Sequence, residues 1–255
     1  MILINDKNWI DVPQQYGILP RFVEFGSPEA REHRMVPITD DLDVVIPWDE
    51  MKERINEANA ARQMPIHHLE HHGAQPHNQG RTNYCWAYGL AECLEAGEPM
   101  QGLPYQRKGP AGLGWLVGWK NRGNYLSAAI KGAVERGIPS AAFVPDGTTD
   151  PSTFKAGWED DALLHRPLEF TDTDRRAGEK SMAQQCASLL VAGLPLYIAY
   201  NWWGHALMMA GVEWDESEKH NLRWIAVNSH GDGRIELTGS RGVPDEAYAL
   251  RASTF

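Results

Sequence analysis

Hydrophobic residues recur at helical spacing in four separate segments of the chain. In residues 49–62, Met51, Ile55 and Ala58 fall at i, i+4 and i+7 with charged residues between them, which predicts a first helix. The same periodicity predicts three further helices, over residues 85–96, 124–136 and 181–192. A glycine directly follows each of these three runs, so we expect each helix to end there.

The pattern changes in the last quarter of the chain. Short apolar runs separated by Gly, Asp, Glu and Ser predict strands over residues 194–200, 205–212, 222–228 and 234–237. Helices followed by strands indicate an α+β domain with a helical lobe and an antiparallel β lobe, and not an alternating parallel sheet. We expect a cleft between the two lobes.

The first 62 residues carry little periodicity outside the first predicted helix. Five prolines are spread through them: Pro13, Pro20, Pro28, Pro37 and Pro47. We therefore divide the chain into an N-terminal arm or pro-segment, residues 1–62, and a core domain, residues 63–255. The first residues lack a basic stretch followed by an apolar one, and no run approaches the roughly 18 to 20 apolar residues of a membrane helix. We expect no secretion signal and no membrane partner, and hence an intracellular protein or part of a particle assembled in the cytoplasm.

Charge and cysteine content narrow the functional classes. The formal net charge is −10 and the sequence pI is near 5.5. No nucleic-acid partner is expected, because that binding depends on clustered Lys and Arg. The three cysteines, Cys85, Cys93 and Cys186, make a poor disulfide framework, since an odd number leaves at least one unpaired within the chain. We expect free thiols in a reducing compartment, and therefore ask whether one of them is reactive.

Cys85 opens the second predicted helix. The unpaired N–H groups and the positive end of the helix dipole stabilise a thiolate at this position, and the thiolate is the nucleophilic form. The alternative is a buried structural cysteine, which is the commoner fate of a free cysteine.

The residues around Cys85 resemble a known family. The stretch His72-Gly73-Ala74-Gln75-Pro76-His77-Asn78-Gln79-Gly80, followed by Cys85-Trp86-Ala87-Tyr88, is similar to the opening of papain-like cysteine peptidases. Gln79 lies six residues before Cys85, as the corresponding glutamine does in that family. The resemblance implies that Cys85 is the nucleophile, and that the Gln79 side chain and the Cys85 backbone N–H stabilise the oxyanion.

Two later segments extend the resemblance. The run from Gly204 to Val212 looks like the family's His-Ala-Val strand, and Asn228-Ser229-His230-Gly231 resembles its Asn-Ser-Trp-Gly strand end. The match implies that His205 takes the thiol proton as general base and that Asn228 orients the imidazole. Taken alone, the histidine could be a hydrogen-bonded core residue and the Asn-Ser pair a plain turn. Three matches in the order Cys, His, Asn imply a papain-like two-lobed fold over residues 63–255.

Three residues are candidate substrate contacts. Gly123 lies in a segment similar to the family's Asn-Gly-Gly stretch, which implies that it lines the substrate groove. Trp86 follows the nucleophile, and Trp203 lies just before His205, where it could bind an apolar substrate side chain; core packing is the alternative for Trp203.

Arg122 and His230 are two of the positions that depart from the family pattern. Arg122 stands where the family favours glycine, which puts ordinary recognition of a peptide backbone in question. His230 replaces a tryptophan that shields the hydrogen bond between histidine and asparagine. We therefore expect that bond to be wetter in this chain.

A histidine-rich segment precedes the active-site motif. His67 with His71, or His68 with His72, would share a helical face at i, i+4 spacing, which is compatible with metal binding. A solvated segment is the preferred interpretation, and we expect neither a metal nor another cofactor.

Two functions fit the sequence. The first is thiol-dependent hydrolysis of a peptide or isopeptide bond through an acyl-enzyme on Cys85, with a peptide or protein as substrate. The second is a papain-fold structural or binding component with weak or no catalysis, which docks onto an assembly partner through residues 1–62. Arg122 and His230 motivate the second hypothesis.

Overall fold

The structure, a computed structural model, describes residues 2–15, 45–118, 120–173 and 178–252. The helices in these residues are α1 (Met51–Ala60), α2 (Pro65–His71), α3 (Cys85–Met100), α4 (Pro110–Leu116), α5 (Leu126–Arg136), α6 (Trp158–Leu163) and α7 (Glu179–Val191). The four predicted helices are present as α1, α3, α5 and α7. No helix in the described ranges combines the length and the apolar character that crossing a membrane requires.

One helix end differs from the prediction. Helix α3 continues past Gly97 to Met100, so the predicted stop at Gly97 is wrong. Every residue from Cys85 to Glu98 is buried, and this packing from all sides overrides the weak helix propensity of a single glycine. By contrast, α5 ends as predicted, with Gly137 at a φ of 76° directly after it.

The β lobe is a seven-stranded sheet with the order β1-β6-β5-β4-β3-β7-β2. Its strands are β1 (Ile2–Ile4), β2 (Pro167–Asp172), β3 (Leu196–Tyr200), β4 (His205–Trp214), β5 (Leu222–Asn228), β6 (Gly233–Leu237) and β7 (Glu246–Ala252). Strands β1 and β6 pair in parallel, and the other neighbouring pairs are antiparallel. The four predicted strands correspond to β3 to β6. The predicted α+β class is confirmed.

Helix α3 joins the two lobes by packing directly on β4. At Gly89, an added Cβ would lie 3.0–3.2 Å from backbone atoms of Leu207, so a larger residue would push β4 away from α3 by a few tenths of an ångström. Because Gly89 is one turn after Cys85 and Leu207 is two residues after His205, the contact brings the start of α3 to the start of β4.

The described parts of residues 1–62 pack against the core domain. Strand β1 extends the sheet beside β6. The Asp6 carboxylate accepts hydrogen bonds from the backbone N–H and hydroxyl of Ser240, at 3.0 and 2.7 Å, and from the N–H of Arg241 at 3.1 Å. The Arg241 guanidinium lies over the Trp9 ring at 3.8 Å. The division at residue 62 remains a prediction.

A buried ionic network supports the helical lobe. His77 contacts Glu95 at 2.7 Å through Nε2 and Asp146 at 3.0 Å through Nδ1. Burial alone would lower the pKa of His77, but Glu95 and Asp146 outweigh it and raise the pKa to about 10. Nearby, the fully buried ammonium of Lys108 donates to Glu98 at 2.7 Å. Through these pairs, the loop that contains His77 and the segment that contains Lys108 are both tied to α3.

Replacing Glu92 with glutamine is expected to stabilise the protein at pH 8 but not at pH 4.5. Burial raises the pKa of Glu92 to about 8, above its ordinary value of 4.5. The wild-type protein therefore loses stability as pH rises from 4.5 to 8, on the order of 1 kcal/mol per pH unit, because only the unfolded state ionises freely. Glutamine removes this loss.

Urea unfolding at pH 4.5, 6 and 8 measures the effect on the free energy of unfolding. The matched control is Glu135→Gln, at an exposed site on α5. Parallel pH profiles for the wild type and Glu92→Gln would show that Glu92 is not held in its neutral form.

Candidate active site

Cys85 is the first residue of α3, and its thiol is fully buried. The backbone N–H of Ala206 donates to its sulfur at 3.5 Å. Burial raises the pKa of the thiol to about 12, while the N–H groups of Ala206, Trp86 and Cys85 act in the opposite direction. The donors that would favour a thiolate are therefore in place, but the closed environment keeps the thiol protonated.

His205 begins β4, and its ring is oriented by Asn228 at the end of β5. The His205 Nε2 lies 2.9 Å from the Asn228 Oδ1. An amide oxygen can only accept, so Nε2 carries the proton and Nδ1 keeps its lone pair. The Asn228 amide nitrogen in turn donates to Asp232 at 3.3 Å, which fixes which end of the amide faces the imidazole.

The Nδ1 of His205 is buried and has no hydrogen-bond partner among the described residues. Burial lowers the pKa of His205 to about 3; the Asn228 hydrogen bond opposes this shift and nearby His230 adds to it. The ring is therefore neutral. Because Ala206 contacts the Cys85 sulfur, the structure brings the start of β4 against this thiol.

The Gln79 backbone and side chain are fixed by hydrogen bonds to Ser229 and Thr82. Its backbone N–H donates to the carbonyl of Ser229 at 2.7 Å, and its side-chain oxygen accepts from the Ser229 hydroxyl at 2.6 Å. Its side-chain nitrogen donates to the carbonyl of Thr82 at 2.8 Å, using one of its two hydrogens. Ser229 was missed as a site residue, although its place directly after Asn228 is a usable sequence signal.

Trp203 and His230 flank the His205 ring. The Trp203 ring packs edge-on against it, with centroids 4.7 Å apart, and the His230 ring lies 5.2 Å away. The prediction of a wetter bond between His205 and Asn228 is wrong, because these residues are 0% and 4% exposed. Trp203, which is 4% exposed, supplies shielding from another direction.

The other candidate substrate contacts have different environments. Trp86 is fully buried, as are Cys85 and His205, and its contact with substrate stays a prediction. Its indole N–H donates to the carbonyl of Arg122 at 3.1 Å. That hydrogen bond ties the segment containing Gly123 to the start of α3. Gly123 itself is half-buried, and the Arg122 residue is exposed.

The end of the described N-terminal segment lies against the residues before His205. The backbone N–H of Gln15 donates to the Trp203 carbonyl at 2.8 Å, and the Trp203 indole donates to the Pro13 carbonyl at 3.0 Å. A Cβ at Gly204 would lie 2.0 Å from the Gln15 carbonyl oxygen, so the arm and β4 are in close contact there. Residues 13–15 therefore cover the main chain beside the candidate base.

The histidine-rich segment forms part of α2 and the turn after it. The His72 ring stacks on Tyr105, with centroids 5.4 Å apart. Within the described ranges, no group of three His, Cys, Asp or Glu side chains is placed to hold a metal ion.

Comparison with known proteins identifies the fold of this chain. No protein-family model and no curated protein matches the chain. Among solved structures, the cysteine protease xylellain from Xylella fastidiosa has a TM-score of 0.59 and 15% identity, covering 95% of this chain and 98% of its own. Procathepsin L 3 from the larval midgut of Tenebrio molitor has a TM-score of 0.55 and 13% identity, covering 96% and 77%.

A third solved structure also shares the fold. Bromelain from Ananas comosus, solved with the E64 inhibitor, has a TM-score of 0.52 and 14% identity, covering 72% of this chain and 96% of its own. At these identities the likeness establishes the fold. The chain therefore has the two-lobed α+β fold of the papain-like cysteine proteases.

Proposed function

We propose that this protein hydrolyses peptide or isopeptide bonds through an acyl-enzyme on Cys85. The observation that carries the proposal is the 2.9 Å contact between the His205 Nε2 and the Asn228 Oδ1. It leaves the basic nitrogen of His205 without another partner among the described residues, in the segment that contacts the Cys85 sulfur. The papain-like fold supports the same chemistry.

The first half of the reaction forms the acyl-enzyme. The thiol proton moves from the Cys85 sulfur to the Nδ1 of His205, and the thiolate attacks the substrate carbonyl carbon. The carbonyl electron pair moves onto oxygen, where the free side-chain hydrogen of Gln79 and the Cys85 backbone N–H stabilise the charge. When this pair returns, the bond to nitrogen breaks, and the leaving amine takes the proton from His205.

The second half restores the thiol. His205 accepts a proton from water as the water oxygen attacks the thioester carbonyl. Collapse of this intermediate releases the carboxylic acid and breaks the bond to sulfur, and the sulfur regains its proton from His205. Asn228 keeps the imidazole in one tautomer through both halves.

The site must open before this cycle begins. Cys85 and His205 are fully buried, and burial shifts both pKa values toward the neutral forms. We propose that residues 13–15, which contact Trp203 and Gly204, belong to the element that moves. Access of water would raise the pKa of His205 and lower that of the thiol, which favours the ion pair.

Hydrolysis of a mixed set of unstructured peptides, followed by mass spectrometry, tests the proposal. We expect new peptide termini that require a reducing agent and that disappear after treatment with the epoxide E64, the inhibitor seen in the bromelain structure. Cleavage that survives E64 would contradict the proposed chemistry.

Ser229→Ala is expected to lower kcat about tenfold. The variant removes the hydroxyl that fixes the Gln79 side chain, so the amide is no longer held ready for the oxyanion; complete loss of one such donor costs about 10²–10³-fold. Steady-state kinetics on one cleaved peptide measure kcat, and Ser217→Ala, at an exposed hydroxyl, is the control. An unchanged kcat would show that the position of the Gln79 amide does not contribute to catalysis.

The second candidate function is a papain-fold binding component. The complete burial of Cys85 and His205 favours it, because a protein that never opens would not turn over. Intact protein without peptidase activity that co-purifies with a partner, and loses that partner when residues 1–44 are deleted, would support this function over hydrolysis.

A further inference from the structure

A cavity of about 150 Å³ lies between the two lobes, away from the thiol along α3. Its apolar walls come from α2, the loop after it, and the strands β5 and β6. The lining includes Ile66, Leu69, Ala74, Pro76 and Val227. Its polar lining includes His77, Glu92 and Glu95, with Glu70 and Arg234 on the more exposed side.

Glu92 differs from the other buried acidic residues of this region. It is 2% exposed, and neither carboxyl oxygen has a hydrogen-bond partner among the described residues. Glu95, three residues later, accepts from the backbone N–H of Lys108 at 2.6 Å and from the Tyr105 hydroxyl at 3.3 Å, and it pairs with His77. A buried acceptor without a donor costs free energy. A ligand that donates a hydrogen bond to the Glu92 carboxyl would remove that cost.

The surroundings select the chemistry of that ligand. A carboxyl group with free acceptors favours a cation with N–H donors, and the aliphatic walls favour a short hydrocarbon chain next to it. A cavity of about 150 Å³ lined by apolar residues can hold a molecule the size of benzene, which is close to the size of a four-carbon amine. The absence of a three-residue ligand group within the described ranges points away from a metal ion.

We propose that this cavity binds a primary alkylammonium group, with its nitrogen donating to the Glu92 carboxylate and its chain packed against Ile66, Leu69 and Val227. A free amine and a lysine side chain of a peptide present the same group. Glu70, on the exposed side of the cavity, is paired with Arg62 and Arg234, so the charge that binds the ammonium group is that of Glu92. The site is separate from the thiol and does not depend on peptidase activity.

Binding is coupled to the release of one proton. Burial raises the pKa of Glu92 to about 8; the charges of His77 and Arg107 oppose this shift, and those of Glu95 and Asp146 add to it. The Glu92 carboxyl is therefore neutral at pH 7 in the empty site and must ionise to accept the cation. The affinity therefore increases about tenfold per pH unit between pH 6 and 7 and becomes level above pH 9.

Calorimetric titration of the full-length Cys85→Ala protein with n-butylammonium tests the proposal at pH 6, 7 and 9. Buffers of different ionisation enthalpy report the released proton. We expect the pH trend above, at least tenfold weaker binding of neutral n-butanol, and at least tenfold weaker binding to Glu92→Gln. This variant is isosteric and uncharged, as is the protonated residue, so it is expected to fold. Glu135→Gln, on exposed α5, is expected to bind like the parent.

A second variant, Ala74→Leu, keeps Glu92 but fills the cavity, and it is also expected to weaken binding. A lysine capped at both its N- and C-termini distinguishes the two ligand sources. If it binds, the ligand is a lysine side chain of a peptide. If it does not bind while n-butylammonium does, the ligand is a free amine. No binding of n-butylammonium at millimolar concentration, equal binding to Glu92→Gln, or an affinity independent of pH would overturn the proposal.

Discussion

Replacing Cys85 with alanine is expected to reduce peptide hydrolysis by at least about 10³-fold, because no other group can form the acyl-enzyme. The removed atom is a single sulfur that accepts only weak contacts from backbone N–H groups, such as that of Ala206 at 3.5 Å. We therefore expect the variant to fold and to keep substrate bound. Residual hydrolysis is measured with the peptide that the wild type cleaves best, at equal protein concentration.

Cys93→Ala is the matched control for this substitution. Cys93 is also a fully buried free thiol on α3, so its loss creates a similar small cavity. We expect its rate of peptide hydrolysis to stay within about threefold of the wild type. Thermal unfolding measures the packing cost of the cavity separately. Wild-type rates in Cys85→Ala would show that the cleavage comes from another group or from a contaminant.

Weakening the attachment of the N-terminal arm is expected to increase access to Cys85 by about tenfold or more. In Asp6→Ala, three solvent-exposed hydrogen bonds to residues 240 and 241 are lost, and each contributes about 0.5–1.5 kcal/mol. A shift of 1.4 kcal/mol in the balance between closed and open forms already changes the open population tenfold. The rate of Cys85 alkylation by iodoacetamide measures this population.

The control for the arm is Asp11→Ala, which removes the same charge from an exposed position of the same segment. We expect its alkylation rate to equal that of the wild type. Equal rates in Asp6→Ala and the wild type would show that the arm does not limit access to the thiol.

The elements that the sequence predicted best carry their own local pattern. Strand β5 was predicted at its observed bounds, because an apolar run between polar turns defines it. Strand β1 was missed: it has three residues, two of them exposed, and it exists through its pairing with β6. Strand β7 likewise depends on its position between β3 and β2. Such pairings join distant residues and leave little periodic signal.

The same distinction applies to the candidate site. The motif around Asn228 predicted its contact with His205, which the structure places at 2.9 Å. The hydrogen bond between Ser229 and Gln79 joins residues 150 positions apart, and the packing of Trp203 on His205 depends on how the chain turns before β4. Burial of Cys85 and His205 also arises only when the lobes and the arm are assembled. These features determine whether the Cys85 thiol and the His205 ring are accessible.

The most direct measurement of the central claim is the site and rate of thiol modification in the folded protein. After reaction with E64, peptide mapping by mass spectrometry is expected to show modification of Cys85 alone, faster than the same thiol reacts in urea-unfolded protein. Cys93 and Cys186, which are buried and whose pKa values burial raises, are expected to stay unmodified in the folded protein. A Cys85 that reacts no faster when folded than when unfolded would contradict an activated nucleophile.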